Sequence, residues 1–216
     1  MAVGVLGNKM VSKSNPYGDL KMVWHGKKLA SLRDEVITAP IYVRVKPTNS
    51  CNHNCFYCVY NPEFSSIHPE SDRNAMISKE KMMEILRDLR EMKVKAITYS
   101  GGGEPLTYPY IIEVLKKTLD YKIDLSMITN GQHLFGEAAE LLGKGRWVRV
   151  SLDYPDEETF AKIRGQSKEL FHQIKKNLKD FYSIKDPHCS FGVNCVIREH
   201  NFDKLFEIWI YILQGL

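Results

Sequence analysis

No apolar run in this 216-residue chain approaches the roughly 20 residues that a membrane span needs. The first residues lack a charged n-region, and their apolar stretch is too short for a signal peptide. Charge of one sign is also missing. Thirty basic residues oppose 26 acidic ones, for a net charge of +4. No basic stripe with interleaved aromatics stands out, so neither a membrane nor a nucleic acid is the expected partner. Cysteine is scarce. There are five, an odd number, and three of them fall in one loop. That excludes a disulfide framework and predicts a reducing, cytoplasmic location. Repeats and low-complexity tracts are absent. What remains, 44% hydrophobic and 26% charged, suits one globular domain with a sizeable core.

The informative stretch runs from Pro47 to Tyr60. It holds Cys51, Cys55 and Cys58, spaced Cys-x3-Cys-x2-Cys. Three thiols this close are too many for a core and too near one another for ordinary disulfides. They read as ligands of a metal centre. Two centres fit the loop. One is a [4Fe–4S] cube held by three cysteines, leaving one iron open to another ligand. The other is a closed zinc site that adds His53 to the three sulfurs.

Residues 1–40 read as an N-terminal extension: a mobile tail rich in Gly, Asn, Ser and Pro to Gly18, then a short helix around Leu29 to Leu32. From Ile41 strands and helices alternate. Strands are expected at Ile41 to Val45, Val94 to Tyr99, Ile123 to Ile128, Trp147 to Leu152 and Phe191 to Ile197. Helical spacing follows each: Met82 to Met92 behind a Ser78 cap, Ile111 to Leu119, Ala138 to Leu142, Asp156 to Gly165 with Leu170 to Phe181, and Leu205 to Ile212. This predicts an α/β fold with parallel strands and about five βα units over residues 41–216. The strands look apolar nearly throughout, as if buried on both faces. Periodicity leaves open a curled barrel or a flat doubly wound sheet.

Sites in parallel α/β proteins lie at the carboxyl ends of the strands. The unusual residues fall there. The first strand ends in the cysteine loop and the second in Gly101-Gly102-Gly103-Glu104. The third ends in Thr129-Asn130-Gly131 and the fourth in Ser151-Leu152-Asp153. The fifth carries Asn194 near its end. Glycines there let backbone approach closely, and Glu104 offers a carboxylate to a cation.

The cysteine spacing with Tyr57 before the last cysteine, followed by Gly102-Gly103-Glu104-Pro105, resembles the radical S-adenosylmethionine (radical SAM) superfamily. The pattern around Ser151-Leu152-Asp153-Tyr154 is most similar to its molybdopterin-biosynthesis and peptide-modifying branch. The resemblance implies a partial (β/α) TIM-like barrel, usually of six units, so the chain is expected to be short at its C-terminus. It implies a [4Fe–4S] cluster on Cys51, Cys55 and Cys58, and S-adenosyl-L-methionine as second cofactor. Gly102, Gly103 and Glu104 would hold the ammonium of that cofactor, Tyr57 would approach its adenine, and Thr129, Ser151 and Asn194 would contact its methionine or ribose. Reductive cleavage would give a 5′-deoxyadenosyl radical that takes hydrogen from a substrate. A low-potential electron donor, a flavodoxin, ferredoxin or reductase, is the implied partner. The competing expectation is a truncated, non-catalytic iron–sulfur or zinc-binding domain.

Several residues read more simply. Asp153 reads either as a ligand contact or, as often, as a turn or cap residue. His53 and Asn54 read as lying behind the ligands, and His133 as covering the third helix. Cys189 and Cys195 read as small apolar residues on the fifth strand. Arg164-Gly165 resembles a recurring element of the superfamily and fits an exposed helix end equally well.

Overall fold

The computed structural model describes residues 23, 25–64, 67, 72–199, 201–208 and 210. The chain divides into one unit ending at Thr38 and another from Ala39 onward. In the first, helix α1 covers Gly26–Arg33, where a short helix was expected. The tail expected before Gly18, and Trp209 and Ile212 of the last expected helix, lie outside the described residues. Among those described, no helix is long and apolar enough to cross a membrane.

The second unit is built on five parallel strands: β1 (Tyr42–Val45), β2 (Ala96–Tyr99), β3 (Asp124–Thr129), β4 (Trp147–Ser151) and β5 (Ser190–Asn194). They pair in the order β1-β2-β3-β4-β5. Helices α2 (Lys79–Glu91), α3 (Ile111–Asp120), α4 (Gly136–Gly143), α5 (Glu157–Arg164) and α6 (Glu169–Ile184) fill the crossovers. This order decides between the two architectures. A doubly wound sheet reverses direction at a switch point. Here each strand adds to the same side, so right-handed crossovers place every helix on one face. The result is an open arc of a barrel.

Val45, Tyr99, Met127 and Val148 are in register and buried, and Tyr99 reaches Thr118 of α3, Oη to Oγ1 2.7 Å. That row faces the helices. The alternating row, Arg44, Thr98, Ser126 and Trp147, lies on the other face. β1 and β4 alternate in burial, whereas on β2 and β3 Thr98 and Ser126 of that second row are buried as well, so the centre of the sheet is buried on both faces, as expected.

Local signals place the ends. Ser78 Oγ accepts from the Lys81 amide at 3.2 Å at the start of α2, and Asp156 Oδ1 from the Thr159 amide at 2.7 Å at the start of α5. Gly165 ends α5 in the left-handed region at φ +59°. β5 stops at Asn194, three residues before the expected Ile197. The cause is Asn201, fully buried, whose Nδ2 donates to the carbonyls of Val196 and Asp153, both at 2.9 Å. That pulls the chain off the sheet. Cys189 and Cys195 therefore flank β5 and do not lie on it.

Candidate cofactor site

The segment after β1 leaves the sheet at its carboxyl edge and is fastened by three neighbouring strand ends. From the β2 side, the Gly103 amide donates to the Thr48 carbonyl at 3.0 Å and the Glu104 amide to the Ser50 carbonyl at 2.8 Å. From the β3 side, Asn130 Nδ2 donates to Asn52 Oδ1 at 2.7 Å, and Asn52 Nδ2 to Gln132 Oε1 at 2.6 Å. From the β4 side, Tyr57 donates its hydroxyl to the Asp153 carboxylate. Beyond it, the Asn54 amide donates to the Arg164 carbonyl at 2.9 Å, and Gln166 Nε2 to the Asn52 carbonyl at 2.8 Å. Backbone polar groups of an irregular loop are satisfied here by loop-to-loop bonds.

Cys51, Cys55 and Cys58 are all free thiols. They line one cavity with Asn49, His53, Tyr60, Asn61, Arg73 and Gly102, enclosing about 280 Å³ including space open to solvent. Burial pushes the Cys51 thiol up to about 11 and raises Cys55 as well, the latter against the opposing pull of Arg164. Metal must therefore displace protons from these sulfurs when it binds. Among the described residues, no three His, Cys, Asp or Glu side chains converge closely enough to hold a single ion. His53 lines the same cavity, but its Nε2 is taken by another side chain. It is buried, its Nε2 lies 3.1 Å from Gln132 Oε1, and its ring stands edge-on to Phe160 at 6.0 Å. The four-ligand zinc alternative is not favoured. A multi-atom cluster, with its iron atoms spread among three sulfurs, suits the donor set.

The glycines serve the loop. A Cβ on Gly103 would stand 2.0 Å from the Ser50 carbonyl oxygen, and one on Gly102 would meet Asn49 Oδ1 at 2.2 Å. Glu104 is buried, and its carboxylate accepts from Thr129 Oγ1 at 2.6 Å, the Asn130 amide at 2.7 Å and the Leu106 amide at 3.1 Å. Glu104 and Thr129 are thus brought together. Ser151 and Asn194 are brought together by register at the ends of β4 and β5. Tyr57 sits at the loop's far side, facing Asp153.

Burial, outweighing those three donors, raises the Glu104 carboxyl above its ordinary 4.5. The folded state then holds this proton more firmly than the unfolded chain. Its contribution to stability is full below about pH 4.5 and is lost as pH rises through the shifted value. Urea unfolding of metal-free protein from pH 4.5 upward should show the decline, and E104Q, which cannot titrate, should flatten it.

For Asp153 and Arg164 the sequence left a plain structural role open, and the structure brings both to the site. Both are buried, at 1% and 4% exposed. Arg164 does not reach water from its helix end. Its Nη2 donates to Asp153 Oδ1 at 2.6 Å and to the Ser151 carbonyl at 2.8 Å, and its Nη1 to Cys55 Sγ at 3.4 Å. A basic residue in the last turn of a helix is an ordinary dipole partner in sequence, so only the Gly165 after it hinted at a turn back toward the core. Asn130 was marked by its place at the end of the third strand; Asn52 and Gln132, which share the β3 fastening, gave no signal beyond their polarity. His133 forms no cap; its ring packs against Phe135 at 6.1 Å.

The Radical SAM superfamily matches residues 45–208. A probable GTP 3′,8-cyclase of Pyrococcus abyssi is 32% identical over 172 residues, which are 77% of this chain and 51% of that protein. An uncharacterized protein of Archaeoglobus fulgidus is 34% identical over 162 residues, 74% of this chain and 36% of that one. The chain spans about half, or less, of the length of these curated relatives. The crystal structure of Streptococcus suis SuiB bound to precursor peptide SuiA shares the fold with a TM-score of 0.67 at 18% identity. That alignment covers 99% of this chain and 46% of SuiB. The match runs through the three cysteines, the glycine turn and the ends of the three remaining strands, and the chain belongs to the radical SAM superfamily, whose members use a [4Fe–4S] cluster and S-adenosylmethionine.

Proposed function

We propose that Cys51, Cys55 and Cys58 hold a [4Fe–4S] cluster and that the chain uses it to cleave S-adenosylmethionine reductively, forming a 5′-deoxyadenosyl radical that takes hydrogen from a substrate carbon. The observation that carries this is three free thiols lining one cavity at the carboxyl ends of β1 and β2. When bound, the cluster supplies a low-potential electron and an iron not ligated by cysteine to which the sulfonium cofactor can bind.

The protein's own part is placement. Gly102, Gly103 and Glu104 form the strand end that receives the cofactor's ammonium, with Glu104 ordering the turn through Thr129 and Asn130. Ser151 and Asn194, adjacent across β4 and β5, face the rest of the cofactor. Tyr57, anchored on Asp153, keeps the last cysteine turn in place beside the adenine. His53, stacked edge-on to Phe160, forms part of the cavity wall beside the cysteines. A flavodoxin, ferredoxin or reductase delivers the electron. All five cysteines are free, which supports a reducing, cytoplasmic setting.

Anaerobic reconstitution tests the reading. Protein supplied with iron and sulfide should bind about four of each per chain, as a cube requires. With S-adenosylmethionine and dithionite it should release 5′-deoxyadenosine. A verified cluster that yields none would overturn the activity, and a colourless, sulfide-free preparation would overturn the cluster itself.

A further inference from the structure

Arg164 is the last residue of α5 and is nonetheless enclosed. A buried guanidinium is costly unless paired and bonded. Here the pairing is asymmetric. Nη2 serves Asp153 and the Ser151 carbonyl, while Nη1 is turned onto the sulfur of Cys55 at 3.4 Å. Nε has no partner. Asp153 is held from the other side by the Tyr57 hydroxyl. The chain Tyr57–Asp153–Arg164–Cys55 thus joins two parts of the cysteine loop through the end of β4. Its one cation lies on a cluster ligand, with the carboxylate behind it. A purely mechanical tie between loop and strand would need no charge against the sulfur.

We propose that Arg164 is a positioning residue that sets the reduction potential of the cluster through its charged hydrogen bond to the Cys55 sulfur, with Asp153 limiting the strength of that field. The proposal rests on the cluster reading above. Reduction adds one negative charge to the centre. A cation and an N–H donor at a ligand sulfur stabilise the reduced form more than the oxidised one, so the potential becomes less negative. Asp153, further from the sulfur and opposite in sign, partly offsets this.

The test is an EPR-monitored redox titration of reconstituted protein without S-adenosylmethionine, after iron and sulfide are counted. R164Q should shift the midpoint to more negative values. R164K, which keeps the charge and loses the fork, should recover part of the shift. D153N, which leaves the cation less compensated, should move the midpoint the opposite way. If R164Q does not fold, the pair D153N and D153N/R164Q carries the same comparison, and the double variant should be the more negative. Potentials that do not move, or that move in the same direction in R164Q and D153N, overturn the proposal. Failure of the unsubstituted protein to bind a cluster overturns the cluster reading instead.

Discussion

Adding one methyl group at Gly103 is expected to unseat the cysteine loop. The new Cβ would lie 2.0 Å from the Ser50 carbonyl oxygen and 2.5 Å from the carbonyl carbons of Asn49 and Ser50. All three are backbone atoms, so no side chain can rotate away. Relief requires the two segments to part, which breaks the bonds from the Gly103 and Glu104 amides to Thr48 and Ser50. Overpacking of this kind costs about 3 kcal/mol, and lost backbone bonds add to it. Because Ser50 adjoins Cys51, G103A should also lose most of its capacity for iron and sulfide. Gly102 is the control. Its Cβ would meet the Asn49 side chain, whose amide can swing aside, so G102A should cost well under half as much. Thermal unfolding of both variants, with iron and sulfide counts, decides. Equal losses would show that the backbone crossing is not what requires glycine.

Removing the Asp153 carboxylate should be the most damaging single change in the second layer of the site. D153A leaves the Arg164 guanidinium buried with a carbonyl, a thiol and the face of Tyr154 but no counter-charge in the pair, and takes the acceptor from the Tyr57 hydroxyl. Breaking a buried pair from one side costs about 3–5 kcal/mol, because a charge is left without compensation. Exposed pairs such as Lys176–Asp180 on α6, with side chains 71% and 55% exposed, should be worth far less. Urea unfolding gives the comparison. The cause is checked with D153A/R164M. If the stranded charge is the cost, removing it should recover a large share of the lost stability, a coupling that independent sites would not show. A double variant less stable than D153A would place the cost in lost packing.

The elements were largely legible. Ser78 and Asp156 cap the helices they precede, and Gly165 ends α5, since these choices depend on residues within one turn. The end of β5 was not legible. Val196 and Ile197 continue an apolar β-rich run, and the chain turns away only because Asn201 captures it from several residues downstream. The choice between a barrel arc and a doubly wound sheet was not legible either. Apolar content does not say on how many faces helices lie, and the order of pairing does. Among candidate site residues, the cysteines and the glycine turn stood out by spacing. Arg164 and Asp153 did not, because each has an ordinary local role in sequence that its environment overrides.

By itself the sequence determined the α/β alternation, the strand ends at which the unusual side chains gather, and the three cysteines that we propose as cluster ligands. Ligand spacing, strand–helix rhythm and turn chemistry are local properties, written within a dozen residues. Tertiary structure alone decided that the strands add in one direction into an arc, that the Glu104 carboxylate is spent on Thr129 and its neighbours, and that an arginine at a helix end rests on a cysteine sulfur. Those outcomes depend on contacts between segments up to 109 positions apart, where burial turns a surface charge into a partner of the site.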